Sequence, residues 1–200
     1  MIKVENIKVY NIARAIYSAR NAMNSWNKSD SDLNKDILGP NDLELAKKLY
    51  AAGPEHRKYL RQIFASMDIT APIFLWAEID TYKIGVTRNS CSFMHKGISR
   101  PFTLEDFSFH NQETRLSVLC AVIDELNRLR ERYLETKDPN IFAEIRELLP
   151  SGYNQRSTIT MNYENAVNMI RQRKDHRLEE WREFCGILLE ELPYLREIVE

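Results

Sequence analysis

Arg173 is the residue whose position demands most of its surroundings. In the stretch N-Y-E-N-A-V-N-M-I-R-Q-R, from Asn162 to Arg173, the residues Tyr163, Ala166, Val167 and Ile170 recur at helical spacing and make one apolar face. At about 100° per residue, Arg173 falls within about 60° of Ala166 and Ile170, at the edge of that stripe. A guanidinium placed there keeps its charge and needs a partner. Two chemistries fit: a structural ion pair or snorkelling arginine, and a clamp for an anionic or carbonyl group of a ligand.

Other reactive groups cluster along the chain. His56, Arg57, Lys58, Arg61 and Gln62 form a compact basic group, either a solvated helix face or a surface for an anion. Glu78, Asp80, Tyr82 and Lys83 gather at the end of an apolar helix, ahead of the loop V-T-R-N-S-C-S-F-M-H-K. A loop after a buried helix is a natural place for a binding site. Cys91 and His95 stand four residues apart in it, but two ligands without a third make no zinc site, so no metal is expected. As a nucleophile, Cys91 lacks an identified base.

The elements that hold these groups follow from periodicity. Residues 2–10 read as a strand with a phase change in the middle, the position of a bulge. A helix over 11–23 follows, then a polar segment, 24–36, in which Trp26 is the one residue that suggests docking; 24–40 is a candidate flexible lid. Helices are expected over 41–51 and 55–61, a strand over 63–69, and a helix opening at Ala71-Pro72. Gly85 to Lys96 reads as loop, and Thr103 with Asp106 as a helix start. The longest amphipathic pattern, Gln112 to Glu135, is core or subunit interface, with Cys120 beside its stripe as a buried thiol. A helix opened by Asp138-Pro139 ends near Pro150, with Arg146 in its last turn, where a cation complements the helix dipole. A strand over 157–161, the helix capped by Asn162, a helix over 177–192 and a short tail after Pro193 complete the chain.

Two hundred residues suffice for one sizeable core, and a single domain is expected. With 44% apolar and 28% charged residues and a net charge of -1, the chain carries no general field for DNA, RNA or membranes. No apolar run approaches the roughly 20 residues of a membrane span, and the first ten lack a signal-peptide core, which points to a cytoplasmic protein. Three widely spaced cysteines argue against a disulfide framework.

Two blocks resemble the flavin-dependent thymidylate synthases. In the first, Arg146 precedes Pro150 by four residues, a strand ends in Thr160-x-Asn162, and the next helix carries Asn168 and Arg173, all in the family's register. In the second, H-R-K-Y-L-R-Q-I-F-A-S-M-D-I-T-A-P-I-F-L-W-A-E-I-D-T-Y-K-I-G is similar to the family's histidine-containing turn, strand and helix, with His56 at the first histidine and Gln62 where a second stands. The family's signature R-H-R, seven residues and a serine falls here on Thr81, Tyr82, Lys83 and Cys91, flanked by Ser90 and Ser92.

The resemblance implies a helix-rich, ThyX-like α/β (α+β) fold with a central mixed sheet and long helices, assembled as a homotetramer with sites between subunits. It implies that Arg146, Arg173, Ser90, Cys91 and Ser92 contact a pyrimidine deoxynucleotide such as dUMP, and that His56, Lys83, Arg88, Asn162 and Asn168 face FAD. The implied reaction is reductive methylation of dUMP from methylene-tetrahydrofolate, with NADPH as reductant. Threonine and tyrosine cannot supply the charge of the first two signature residues, and Glu78 and Asp80 add negative charge nearby, which works against a flavin phosphate. The competing expectation is a non-catalytic nucleotide-binding or protein-interaction module on the same fold.

Overall fold

Strand alternation and helical periodicity resolve into a helix-rich α+β chain in the computed structural model, which describes residues 2–109 and 113–200. The order is β1 (Lys3–Tyr10), α1 (Ile12–Ala19), α2 (Pro40–Ala51), β2 (Phe64–Pro72), α3 (Ile73–Ile79), β3 (Val86–Ser90), α4 (Phe93–Lys96), α5 (Glu113–Thr136), α6 (Pro139–Leu148), β4 (Asn154–Asn162), α7 (Tyr163–Arg173), α8 (Glu179–Glu191) and α9 (Leu195–Val199). The sheet has the order β1-β2-β4-β3 and is antiparallel, where a mixed one was expected. The β2–β4 register is visible in side chains: Ser66 pairs with Thr160 and Asp68 with Thr158. The expected class holds; Gln112, where the long helix was expected to begin, lies outside the described residues. No helix among the described residues is long and apolar enough to cross a membrane.

The chain divides into two compact units, the first comprising Met1–Ile69, Thr81–Asn89 and Thr158–Glu200, the second Thr70–Asp80 and Ser90–Ser157. In the first, β2 buries Ala65, Met67 and Ile69, and β4 buries Ile159 and Met161, while the intervening positions point to the polar side. The phase change in β1 falls at Asn6, whose φ of 54° is left-handed. The amide of Asn6 donates to Asp68 at 2.8 Å. Trp181 and Phe184 of α8 and Val167 and Ile170 of α7 are buried. Burying each such side chain contributes about 1.5–3 kcal/mol. The short tail expected after Pro193 contains α9, with Leu195 and Ile198 buried.

Segment 24–39 works through its carboxylates. Asp36 accepts from the first free amides of α1, Ile12 N at 3.0 Å and Ala13 N at 2.7 Å. Asp30 does the same for α2, accepting from Asn41 N and Asp42 N at 2.9 and 3.1 Å. Negative charge at a helix N-terminus satisfies orphan donors and complements the dipole. Gly39 passes so close to Asp30 that a Cβ would lie 2.3 Å from its carboxyl carbon. Asp42, fully buried, takes Arg20 Nε at 2.7 Å and the hydroxyls of Ser29 and Ser31.

In the second unit α5 packs on α6 around Ile123, Leu126, Leu129, Ile141, Phe142 and Ile145. Asp138 caps α6, accepting from Asn140 N at 2.9 Å. The Asn127 side chain both accepts from Phe102 N and donates to its carbonyl, at 2.8 and 3.0 Å, and Arg130 donates to Ile98 O at 2.9 Å. These bonds fasten the 98–102 segment to α5. Cys120 is half-buried rather than enclosed.

Asp42→Ala leaves the Arg20 guanidinium buried without its carboxylate, and urea unfolding is expected to show a loss of about 3–5 kcal/mol.

Candidate functional site

In the second unit a cleft of about 350 Å³ opens beside the first residues of β4. Strand pairing builds its wall: Cys91 N donates to Arg156 O at 2.8 Å, and Gln155 Nε2 donates to Cys91 O at 3.0 Å. Segment 85–96, expected as loop, thus contains β3 and α4, because edge pairing overrides a sequence with weak strand propensity. Cys91, Ser92, Lys96, Arg100, Asp106 and Arg156 are among the lining residues.

Tyr153 borders the cleft from an aromatic cluster, 5.7 Å from the Phe93 and Phe107 rings and 6.2 Å from Phe102. Burial, with the Asp106 charge added, raises its hydroxyl above the ordinary tyrosine value. Arg100 pairs with Asp106, which also accepts from Thr103 N at 2.8 Å. Burial pushes Asp106 up, yet the hydrogen bonds from Arg100 and Thr103 outweigh it and hold the carboxyl below the usual range. Arg100 is therefore largely neutralised, and Lys96, Arg156 and the Glu105 carboxylate also line the cleft, Arg156 with interactions of its own. With the Ser92 hydroxyl, the Cys91 thiol and the amides of Asn154 and Gln155, this lining suits a small polar ligand rich in hydroxyls and carbonyls.

The first unit gathers the other candidates along α7. Asn162 caps the helix, its Oδ1 accepting from Asn165 N at 3.0 Å. Asn165 Nδ2 donates to Ile84 O at 2.7 Å, and Gly85, at φ 78°, lies so near Asn162 that a Cβ would come within 2.6 Å of its amide nitrogen. At the far end of α7, Tyr82 Oη donates to Gln172 Oε1 at 2.8 Å, and Arg173 Nε donates to Tyr82 Oη at 3.2 Å. Arg173 Nη1 lies 2.9 Å from His176 Nε2, and its guanidinium carbon sits 5.2 Å from the centre of the Trp181 ring. The turn 81–85 is thus fastened to both ends of α7. Asn168, three residues beyond Asn165 and four before Gln172, shares the face between the two fastenings and is half-buried.

The remaining candidates are dispersed. Arg146, in the second unit, is exposed on the last turn of α6, with no hydrogen bond or ion pair to a described residue. Ser90 is exposed at the end of β3, His56 and Lys83 are exposed, and Arg88 is half-buried with interactions of its own. Of the basic group at 56–62, Arg57 is buried, its Nε and Nη2 donating to Glu164 Oε1 at 3.2 and 2.9 Å and its guanidinium stacked on Tyr50. Arg61 and Lys58 are exposed. The side chain of His95, spaced for pairing with Cys91, lies outside the described residues.

Sequence reasoning passed over Tyr153, Lys96 and Arg156 as cleft residues, and His176 as a neighbour of Arg173. For His176 a signal existed: it follows Arg173 by only three residues, across the turn that ends α7. Lys96 follows Ser92 by one helical turn, whereas Arg156 and Tyr153 gave no signal, since they reach the cleft through strand pairing and an aromatic cluster.

This helix-rich chain on a four-stranded antiparallel sheet shares its fold with solved structures of thymidylate synthase X. Two of these show the likeness. One is ThyX from Helicobacter pylori with FAD and dUMP, at TM-score 0.76 and 17% identity over 100% of this chain and 97% of that one. Another structure of the H. pylori flavin-dependent thymidylate synthase ThyX, also complexed with FAD and dUMP, gives 0.74 and 16% over 99% and 96%. At such identities the likeness is one of fold. The chain belongs to the thymidylate synthase complementing protein family, whose model matches residues 3–194. No curated protein matches the sequence.

The cysteines report on the cleft. Burial pushes the Cys185 thiol up to about 11, so alkylation of the native protein near pH 8 is expected to spare it and to modify exposed Cys91 rapidly, as peptide mass spectrometry would show.

Proposed function

We propose that this protein binds a pyrimidine deoxynucleotide of the dUMP type. The single observation that carries the reading is the cleft at Cys91 and Ser92, with Lys96 and Arg156 on its wall, in a chain that belongs to this family from residue 3 to residue 194. A cleft of about 350 Å³ falls in the range of ligand pockets. Ser90, Cys91 and Ser92 take the nucleotide together with Arg146 and Arg173, and the site is completed between copies of a homotetramer.

FAD fits this chain less well than the nucleotide does. A flavin dinucleotide brings two phosphates and a ring rich in acceptors, so its cradle needs free donors. Tyr82 is engaged with Gln172 and Arg173, the Asn162 oxygen caps α7, and Arg57 is neutralised by Glu164. Arg88 has interactions of its own, and of the other residues expected to face the flavin, His56 and Lys83 are solvent-exposed.

A second reading, flavin-dependent reductive methylation of dUMP with methylene-tetrahydrofolate and NADPH, is favoured by the fold likeness to ThyX solved with FAD and dUMP. Titration calorimetry with dUMP and a visible spectrum after incubation with FAD separate the two. Nucleotide binding by a colourless protein supports the first reading, flavin uptake with thymidylate formation supports the second, and failure to bind dUMP overturns both. Arg173→Ala is expected to weaken dUMP by about 1.5–3 kcal/mol, the worth of a hydrogen bond to a charged group.

A further inference from the structure

We propose that Tyr82 is a positioning residue for Arg173, setting the orientation in which this arginine meets the nucleotide; the inference rests on the nucleotide reading of Arg173 given above. Its basis is the direction of each proton. A guanidinium has donors and no acceptor, so the 3.2 Å contact from Arg173 Nε obliges the Tyr82 oxygen to accept. The phenolic proton is then left for Gln172 Oε1, 2.8 Å away, which is an acceptor. A hydroxyl that donates to one group becomes a better acceptor for another, so the Gln172 bond strengthens the hold on Arg173.

The aromatic neighbours fix the remaining freedom. Tyr82 meets Trp181 edge-on, with ring centres 6.0 Å apart and planes at 63°, and the Arg173 guanidinium lies over the same indole. Trp181 is buried and cannot shift without disturbing the core of the unit. Tyr82 therefore fixes the guanidinium from one edge and Trp181 from one face, while His176 Nε2 stands at Nη1. An arginine side chain has several rotatable bonds, and their freedom is lost on binding unless the protein has already removed it. The pre-ordering is local to the first unit and needs no rearrangement elsewhere.

This is a role that charge replacement cannot explain. Thr81, Tyr82 and Lys83 occupy the place of the family's R-H-R signature, and Tyr82 supplies no charge. What it supplies is a neutral hydroxyl at a fixed height above Trp181, matched to an arginine that the chain retains. Lys83, the next residue, is exposed, so the tyrosine faces α7 while the lysine does not.

The test is Tyr82→Phe, which keeps the ring against Trp181 and removes the hydroxyl. Calorimetric dUMP titration is expected to show a loss of roughly 3- to 10-fold in affinity, the effect of one hydrogen bond. In an Arg173→Ala background the same substitution is expected to change affinity by less than about 2-fold, because the hydroxyl acts through the arginine. By NMR, exchange of the Arg173 Nε proton is expected to accelerate in Tyr82→Phe, a readout that needs no ligand. If Arg173→Ala weakens dUMP while Tyr82→Phe leaves both affinity and exchange unchanged, the positioning role is overturned and the nucleotide reading stands. Equal losses from Tyr82→Phe in both backgrounds also overturn it, since the hydroxyl then acts independently of Arg173. If Arg173→Ala binds dUMP as the wild type does, Arg173 is no ligand contact and the inference falls with that assignment alone. If the wild type binds no dUMP, both fall.

Discussion

A guanidinium that leaves water must find its partners first, and this constraint decides which arginines of the chain remain for a ligand. The side chain stays charged at any pH a protein survives, so it cannot escape burial by losing a proton. Stripping it of solvent costs several kcal/mol unless hydrogen bonds return them. Arg20 is held by Asp42, Arg57 by Glu164 with Tyr50 beneath it, and Arg173 by Tyr82 with Trp181 beneath it. Arg100, although exposed, is tied to Asp106. Each carboxylate pairing, of Arg20, Arg57 and Arg100, removes one cation from the set that sequence alone would offer to an anion, whereas the Tyr82 hydroxyl that holds Arg173 is neutral. The basic group at 56–62 illustrates the effect: its most central member, Arg57, serves the interior.

The same constraint organises the segment between α1 and α2. Asp30, Asp36 and Asp42 look in the sequence like the charges of a solvated loop, yet they cap two helices and neutralise a buried arginine. Their partners lie between eleven and twenty-four residues away, beyond any local periodicity. Periodicity did report what is local. The alternation of β2, the apolar face of α7, the Asn162 cap and the Thr103–Asp106 pairing all follow from residues within a few positions of one another. Segment 85–96 was opaque for the opposite reason. Val86 to Ser90 has weak strand character, and it is a strand because β4 offers it an edge.

The candidate site divides along the same line. Arg173 was visible as a cation at the border of an apolar stripe, and both readings of it have a physical counterpart. It is packed on Trp181 as a structural arginine would be, and it is held in a fixed orientation as a ligand contact should be. What the sequence could not provide is Tyr82, 91 residues earlier, as the residue that reconciles the two. The cleft at Cys91 was half visible. Its cysteine stood at a signature position with a serine beside it, and Lys96 follows that serine by one helical turn, while Arg156 and Tyr153 reach it through strand pairing and an aromatic cluster that no spacing rule encodes.

The loss of charge at 81 and 82 and the retention of Arg173 are better understood together than apart. The histidine of the signature, in place of Tyr82, would stand close to Arg173, where its protonated form is repelled by the guanidinium. A neutral hydroxyl there removes the repulsion and returns an acceptor. Its gain is an arginine whose side chain has less conformational freedom. Asn162 and Asn165 hold the other end of the turn through Gly85 and the Ile84 carbonyl, so the turn cannot swing to present Tyr82 elsewhere without breaking bonds at both ends of α7. A turn fixed in this way keeps Tyr82 in place as part of the arginine's support.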